Sequence, residues 1–211
     1  MWGLDLAVVV STFPVIFLAE LPDKTFVAAL VLATRFRHLL VWIGVSAAFF
    51  VQCLIAVVAG SFISLLPAAL VLGVTGAFFV VGAVILIRSG LRTRSEEAQV
   101  EHDEESEVLA KVGDTTSASA VKVLATSFIV LFAAEWGDLT QIFTAAQAAK
   151  TGAPLSVFIG SWFALIAVSG LAVVLGRWLQ QRIPLWRVSI ASGTVLLLLA
   201  GYTGYEFIQA L

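Results

Sequence analysis

The sequence predicts an all-α integral membrane protein with six transmembrane helices arranged as two inverted three-helix repeats. Three observations carry this prediction. Apolar residues make up 60% of the 211 and charged ones only 12%, against roughly 25% charged in soluble domains. The chain has no charged residue from Leu39 to Ile87, a run of 87 − 39 + 1 = 49 positions. Sliding the chain by 115 positions places Ser11–Thr25 on Thr126–Thr140 with seven of fifteen residues identical.

The elements follow in order. Residues 6 to 33 are apolar except for Glu20, Asp23 and Lys24, and form the first span. As one helix the uncharged run would reach ~74 Å, more than twice the ~30 Å of a bilayer core. It must turn back once, and the segment from Gly60 to Pro67 supplies the stop and restart signals, giving spans two and three. Residues 123 to 149, apolar except for Glu135 and Asp138, are the fourth span; Thr151–Gly176 and Val188–Tyr205 are the fifth and sixth. The repeats are 1–90 and 120–211. Between them, 91–119 is polar, with Glu101, Asp103, Glu104, Glu105 and Glu107 clustered, and is expected to be a disordered linker.

Charge excludes some functions and sets an orientation. A net charge of −2 with no basic stripe gives nucleic acid nothing to bind. The partner is the lipid bilayer, with a homo-oligomer left open. Cys53 is the only cysteine, so an intrachain disulfide is excluded, and it is expected to be a small packed side chain. Arg35, Arg37, Arg88, Arg92, Arg94, Lys111, Lys122, Arg177, Arg182 and Arg187 fall in or beside the loops after spans one, three and five; the opposite loops have only Lys150. The positive-inside rule then predicts a cytoplasmic linker and extracytoplasmic termini. The residues before Leu6 lack a basic signal-peptide region, so the first helix is expected to be retained, and the small size favours a plasma membrane.

The repeat pairs ionisable residues as well as apolar ones: Glu20 with Glu135, Asp23 with Asp138, Thr25 with Thr140. Three helices per copy force the second to run in the opposite sense, as in many secondary transporters. On continuous helices each acidic pair shares a face, and if both faces look into the pseudo-twofold axis four carboxylates converge. At roughly 2.5 to 3.5 kcal/mol each, four such acids cost on the order of 10 to 14 kcal/mol uncompensated. Lys24 can neutralise one; protons or a divalent cation must offset the rest. With the Thr25 and Thr140 hydroxyls and the Gln141 amide, the donors are all oxygen, which suits Mg²⁺, Ca²⁺ or Mn²⁺. No histidine or sulfur cluster favours zinc or copper. Pro22 should kink the first helix and release the Leu18 carbonyl as a further ligand, and Gly137 should allow close backbone approach at the matching place. Gln52 and Gln147 read as interhelical glue. No resident cofactor is expected.

Glu20-Leu21-Pro22-Asp23-Lys24-Thr25 and Glu135-Trp136-Gly137-Asp138-Leu139-Thr140 resemble the paired E-x-G-D-[KR]-[TS] motifs of the Gdt-type family of manganese and calcium transporters. The likeness covers essentially the whole chain. It implies cation/proton exchange, with Glu20, Asp23, Glu135 and Asp138 at the family's acidic positions and Thr25 and Thr140 at its hydroxyl positions. Pro22 and Leu139 depart from the motif. The predicted function is transport of a divalent cation, Mn²⁺ first and Ca²⁺ next, in exchange for protons by alternating access. The alternatives are a passive cation channel and an intramembrane acid hydrolase. Against the hydrolase, Glu135 stands where a G-x-G-D string needs its first glycine, and no Tyr-Asp partner occurs.

Overall fold

A computed structural model describes residues 4–21, 24–112, 119–182 and 185–210, with backbone alone for Lys24, Thr25, 93–112, 176–182, Leu185 and Val188. The described residues form eight helices and no strands: α1 (Leu6–Glu20), α2 (Lys24–Arg35), α3 (His38–Ile63), α4 (Ala68–Val112), α5 (Ala120–Ala134), α6 (Leu139–Thr151), α7 (Pro154–Arg182) and α8 (Leu185–Gln209). The protein is an all-α membrane protein. By length and composition, His38–Ile63, Ala68–Arg92 and Pro154–Leu175 can each cross a bilayer, and α5 with α6, bent by 74°, makes a fourth if taken as one broken span. Their outer faces carry Leu54, Val58, Phe62, Val81 and Val174 in the open. Such a surface is stable only against lipid.

The two acid-bearing segments are therefore each a pair of helices, where the sequence suggested single ones. Between α5 and α6 the break is written locally. Gly137 adopts φ +74, a left-handed conformation that favours glycine. Asp138 then caps α6, accepting hydrogen bonds from the backbone N–H groups of Thr140 at 3.1 Å and Gln141 at 2.9 Å. A Cβ at Gly137 would meet nothing within 4 Å. Its glycine thus serves backbone conformation, and the expected close approach does not occur.

At the other break, α1 ends at Glu20 with Leu21 as its C-cap. Proline 22 has no N–H to give the Leu18 carbonyl. That carbonyl does not become a free ligand: the Ser192 hydroxyl on α8 donates to it at 2.5 Å. Ser192→Ala should strand a buried acceptor at a cost of about 1–3 kcal/mol, which a lowered melting temperature in detergent would register.

The linker expected to be disordered is helical as far as Val112, as a continuation of α4. From Leu91 to Val112 it holds neither glycine nor proline and is rich in Glu, a good helix former. Residues 113–118 lie outside the described residues.

Small residues set the packing. A Cβ on Gly44 of α3 would lie 2.7 Å from the Leu124 carbonyl oxygen and 2.9 Å from Ser127 Cβ of α5; one on Gly160 of α7 would lie 2.9 Å from the Val9 carbonyl oxygen and 3.0 Å from Thr12 Cβ of α1. Val9 and Thr12 are the residues 115 positions before Leu124 and Ser127, so the α3–α5 and α7–α1 contacts match atom for atom. The α3–α7 crossing is fixed by the Trp42 indole N–H, donating to the Ile166 carbonyl at 3.0 Å, and the Trp162 indole N–H, donating to the Ser46 carbonyl at 3.1 Å. Helix α4 packs mainly along α8.

Candidate metal centre

Both helix breaks open onto one small cavity. It is lined by Glu20 from α1, Gln52 and Cys53 from α3, Glu135 and Asp138 from the α5–α6 break, and Thr140, Gln141 and Thr144 from α6, with Phe49, Ala56 and Leu165 closing its apolar side. Its volume is about 10 Å³, close to what one water-sized particle occupies. Glu20 is 0% and Glu135 4% exposed. Acids buried this deeply in a membrane protein mark ion pathways and proton relays.

The two acid-bearing segments touch directly. Thr140 Oγ1 donates to Glu20 Oε2 at 2.6 Å, a buried bond across 120 residues of sequence. Beside it the N-terminal end of α6 points toward the acids, and its dipole lowers the cost of their negative charge. Both Asp138 oxygens are held by backbone N–H groups of that end, so this carboxylate is fixed in position before any ligand arrives. Thr140→Val should leave Glu20 without its hydroxyl partner at a cost of about 1–3 kcal/mol, which a lowered melting temperature in detergent, with assembly intact by size-exclusion chromatography, would register.

Of the residues singled out in the sequence, Glu20, Glu135, Asp138, Thr140 and Gln141 share this cavity. Asp23 and the side chains of Lys24 and Thr25 lie outside the described residues. Glu135 and Asp138 do not share a helix face as a continuous helix would require: Glu135 is the C-cap of α5 and Asp138 the N-cap of α6. Gln141 Oε1 accepts the Gly137 N–H at 2.9 Å, leaving its Nε2 as a buried donor with no hydrogen-bond partner among the described residues. The amide therefore braces the break. Among the described residues no three His, Cys, Asp or Glu side chains stand as a preformed metal cluster.

Sequence reasoning passed over three lining residues. Gln52 does act as glue, donating through Nε2 to the Phe132 carbonyl at 3.2 Å, but it also faces the cavity. Cys53 is packed, as expected, yet on the cavity wall. Thr144 donates to the Thr140 carbonyl at 2.8 Å. Its place one turn beyond Thr140 on α6 was the available signal.

Helix breaks that bring buried acids from distant segments together inside an apolar bundle define an integral membrane protein with an acidic interior cavity. The chain belongs to the divalent cation/proton antiporter GDT1 family, whose description matches residues 8–94 and 123–210. It is 31% identical to the chloroplastic GDT1-like protein 1 of Oryza sativa subsp. japonica, over 95% of this chain and 62% of that protein. It is 29% identical to a GDT1-like protein of Synechocystis sp., over 88% of this chain and 90% of that protein. A third relative, the chloroplastic PAM71-homolog of Arabidopsis thaliana, is 28% identical over 92% of this chain and 58% of its own length. The chain thus spans somewhat under two thirds of the plant relatives. No solved structure matches. Membership in an antiporter family sets the hydrolase reading aside.

Proposed function

We propose that the chain carries a divalent cation, Mn²⁺ first and Ca²⁺ next, across a plasma membrane in exchange for protons, by alternating access at the acidic cavity. The observation that carries this reading is the Thr140–Glu20 hydrogen bond inside a cavity that also holds Glu135 and Asp138. It joins two segments that the 115-residue repeat relates. Six spans in two inverted halves, 1–90 and 120–211, account for the matched α3–α5 and α7–α1 contacts. In this reading each broken pair is one span, the segment 91–119 is cytoplasmic and the termini are outside.

Membership in a family of divalent cation/proton antiporters supports cation/proton exchange; the all-oxygen acids and hydroxyls support a hard divalent cation. Glu20, Asp23, Glu135 and Asp138 are the ligands proposed, with Thr25 and Thr140 as hydroxyl donors and Lys24 as a balancing charge. Metal and protons compete for the same carboxylates, because a ligand oxygen must shed its proton to bind. Binding then weakens as pH falls, and an inward proton gradient drives the cation outward.

Purified protein in proteoliposomes tests this. Mn²⁺, Ca²⁺ and Mg²⁺ flux should each depend on an imposed pH gradient, with Mn²⁺ fastest, and Asp138→Asn should lower all three because the cap survives while the charge is lost. Flux indifferent to the proton gradient would favour a channel. Undiminished flux in both Glu20→Gln and Asp138→Asn would defeat the transport site altogether.

A further inference from the structure

A second cavity is lined one turn along α1 and α6 from the acidic one, toward the end of the bundle that holds the start of α1 and the end of α8. There Asp5 donates its backbone N–H to Ser156 Oγ at 2.8 Å, and Lys150 Nζ pairs with Glu206 Oε2 at 2.7 Å, tying the start of α1, the α6–α7 turn and the end of α8 together. This cavity measures 180 Å³ against about 10 Å³ for the acidic one. Ser11, Thr12, Gln147, Lys150 and Tyr202 give it a polar wall. Thr12 is 1% exposed and its Oγ1 has no hydrogen-bond partner among the described residues. A buried hydroxyl left so is costly unless water reaches it.

The two cavities share helix α6. Gln147 and Lys150 line the larger, and Gln141 and Thr144 the smaller. Phe143, in the same turn of α6 as Gln141 and Thr144, faces the larger cavity instead: it is 1% exposed, its ring is 5.5 Å from that of Phe79, and both rings line that cavity. The Phe143 ring sits in the notch left by Gly82 on α4: a Cβ there would run into Phe143 Cζ. The ring's neighbours Phe79 and Gly82 are apolar, and a dry constriction of this kind gates by excluding water. Ala28 and Leu32 of α2, 115 positions before Phe143 and Gln147, are apolar and packed in the core, so the first half does not repeat the Gln147 side of this wall.

We propose that the 180 Å³ cavity is the aqueous vestibule to the acidic site from the terminal end of the bundle, and that Phe143 is its movable barrier. The proposal rests on the reading of the acidic cavity as the transport site. Cys53, the only cysteine, lines that cavity and is a native reporter. In sealed vesicles of known sidedness holding the full chain, Ag⁺ is applied from the terminal side, and the thiol left for maleimide is scored after denaturation.

The wild-type Cys53 should be blocked slowly, and Phe143→Ala should raise the rate by tenfold or more. Phe143→Leu, gentler on folding, should also raise it. Gln147→Cys in a Cys53→Ser background should be blocked fast whatever happens to the Phe143 variants. Slow block of Gln147→Cys would overturn the vestibule. Fast block of wild-type Cys53 from this side, or an unchanged rate in either foldable Phe143 variant, would overturn the barrier. Because Ag⁺ block needs no metal transport, absent Mn²⁺ flux with the expected labelling pattern would count against the transport reading alone.

Discussion

Glu20→Gln should reduce Mn²⁺ uptake into proteoliposomes by at least tenfold, and Glu135→Gln should do the same, with each variant eluting as the wild type does. Both side chains are buried, at 0% and 4% exposure, on the wall of a cavity of about 10 Å³. At that size a bound ion meets its carboxylate ligands directly, and no bulk water can substitute for a lost charge. Glutamine keeps the shape and one acceptor oxygen; Thr140 Oγ1 can still donate to it at position 20. What disappears is the negative charge and the ability to exchange it for a proton. A tenfold change corresponds to about 1.4 kcal/mol, a modest demand on a charged ligand in a low-dielectric setting. Equal uptake by wild type and both variants, measured as initial rates at matched protein density, would show that these acids do not touch the transported ion.

Gly60→Val should be the most damaging substitution outside the acidic cavity. A Cβ at Gly60 would collide with the Ala145 carbonyl oxygen and come within 2.9 Å of Ala148 Cβ. The obstacle is backbone of α6, so no side-chain rotation relieves it. Valine forces α3 away from α6, and α6 carries Thr140, Gln141 and Thr144 into the site. Overpacking of this kind costs about 1–3 kcal/mol, and in a membrane, where close van der Waals packing drives helix association, the penalty falls directly on assembly. A lower melting temperature in detergent, with Mn²⁺ uptake reduced even in the fraction that survives purification, is the expected result. A wild-type melting curve would mean that the α3–α6 contact is looser than its geometry indicates. The contrast is Gly201, where a Cβ meets nothing within 4 Å and alanine should be tolerated.

Much of the acidic site was legible in the chain itself. Glu20, Glu135, Asp138 and Thr140 stand out because ionisable and hydroxyl groups recur at one offset inside apolar runs. A charge there needs a reason wherever the helices end up. The all-helical class was equally plain, since in lipid a continuous helix satisfies its own backbone groups. The sequence was less informative about what lies between Glu135 and Asp138. Three-residue spacing reads as a shared helix face, whereas Gly137 at φ +74 and the Asp138 cap end one helix and begin another. The local signals were present, but apolar periodicity on both sides outweighed them.

Composition and the 115-residue repeat thus determined that this chain lives in a membrane, that its two halves are related, and which acids are costly enough to demand a partner. Only the tertiary structure decided who those partners are. It gave the Leu18 carbonyl to Ser192 of α8, turned Gln141 toward Gly137, placed Cys53 and Gln52 on the cavity wall, and seated Phe143 over Gly82. The reason is physical. Burial cost is a property of a side chain in lipid and can be read one residue at a time, while distances between helices far apart in sequence are fixed by glycine notches and carbonyl acceptors that carry no mark in the sequence of the helix they receive.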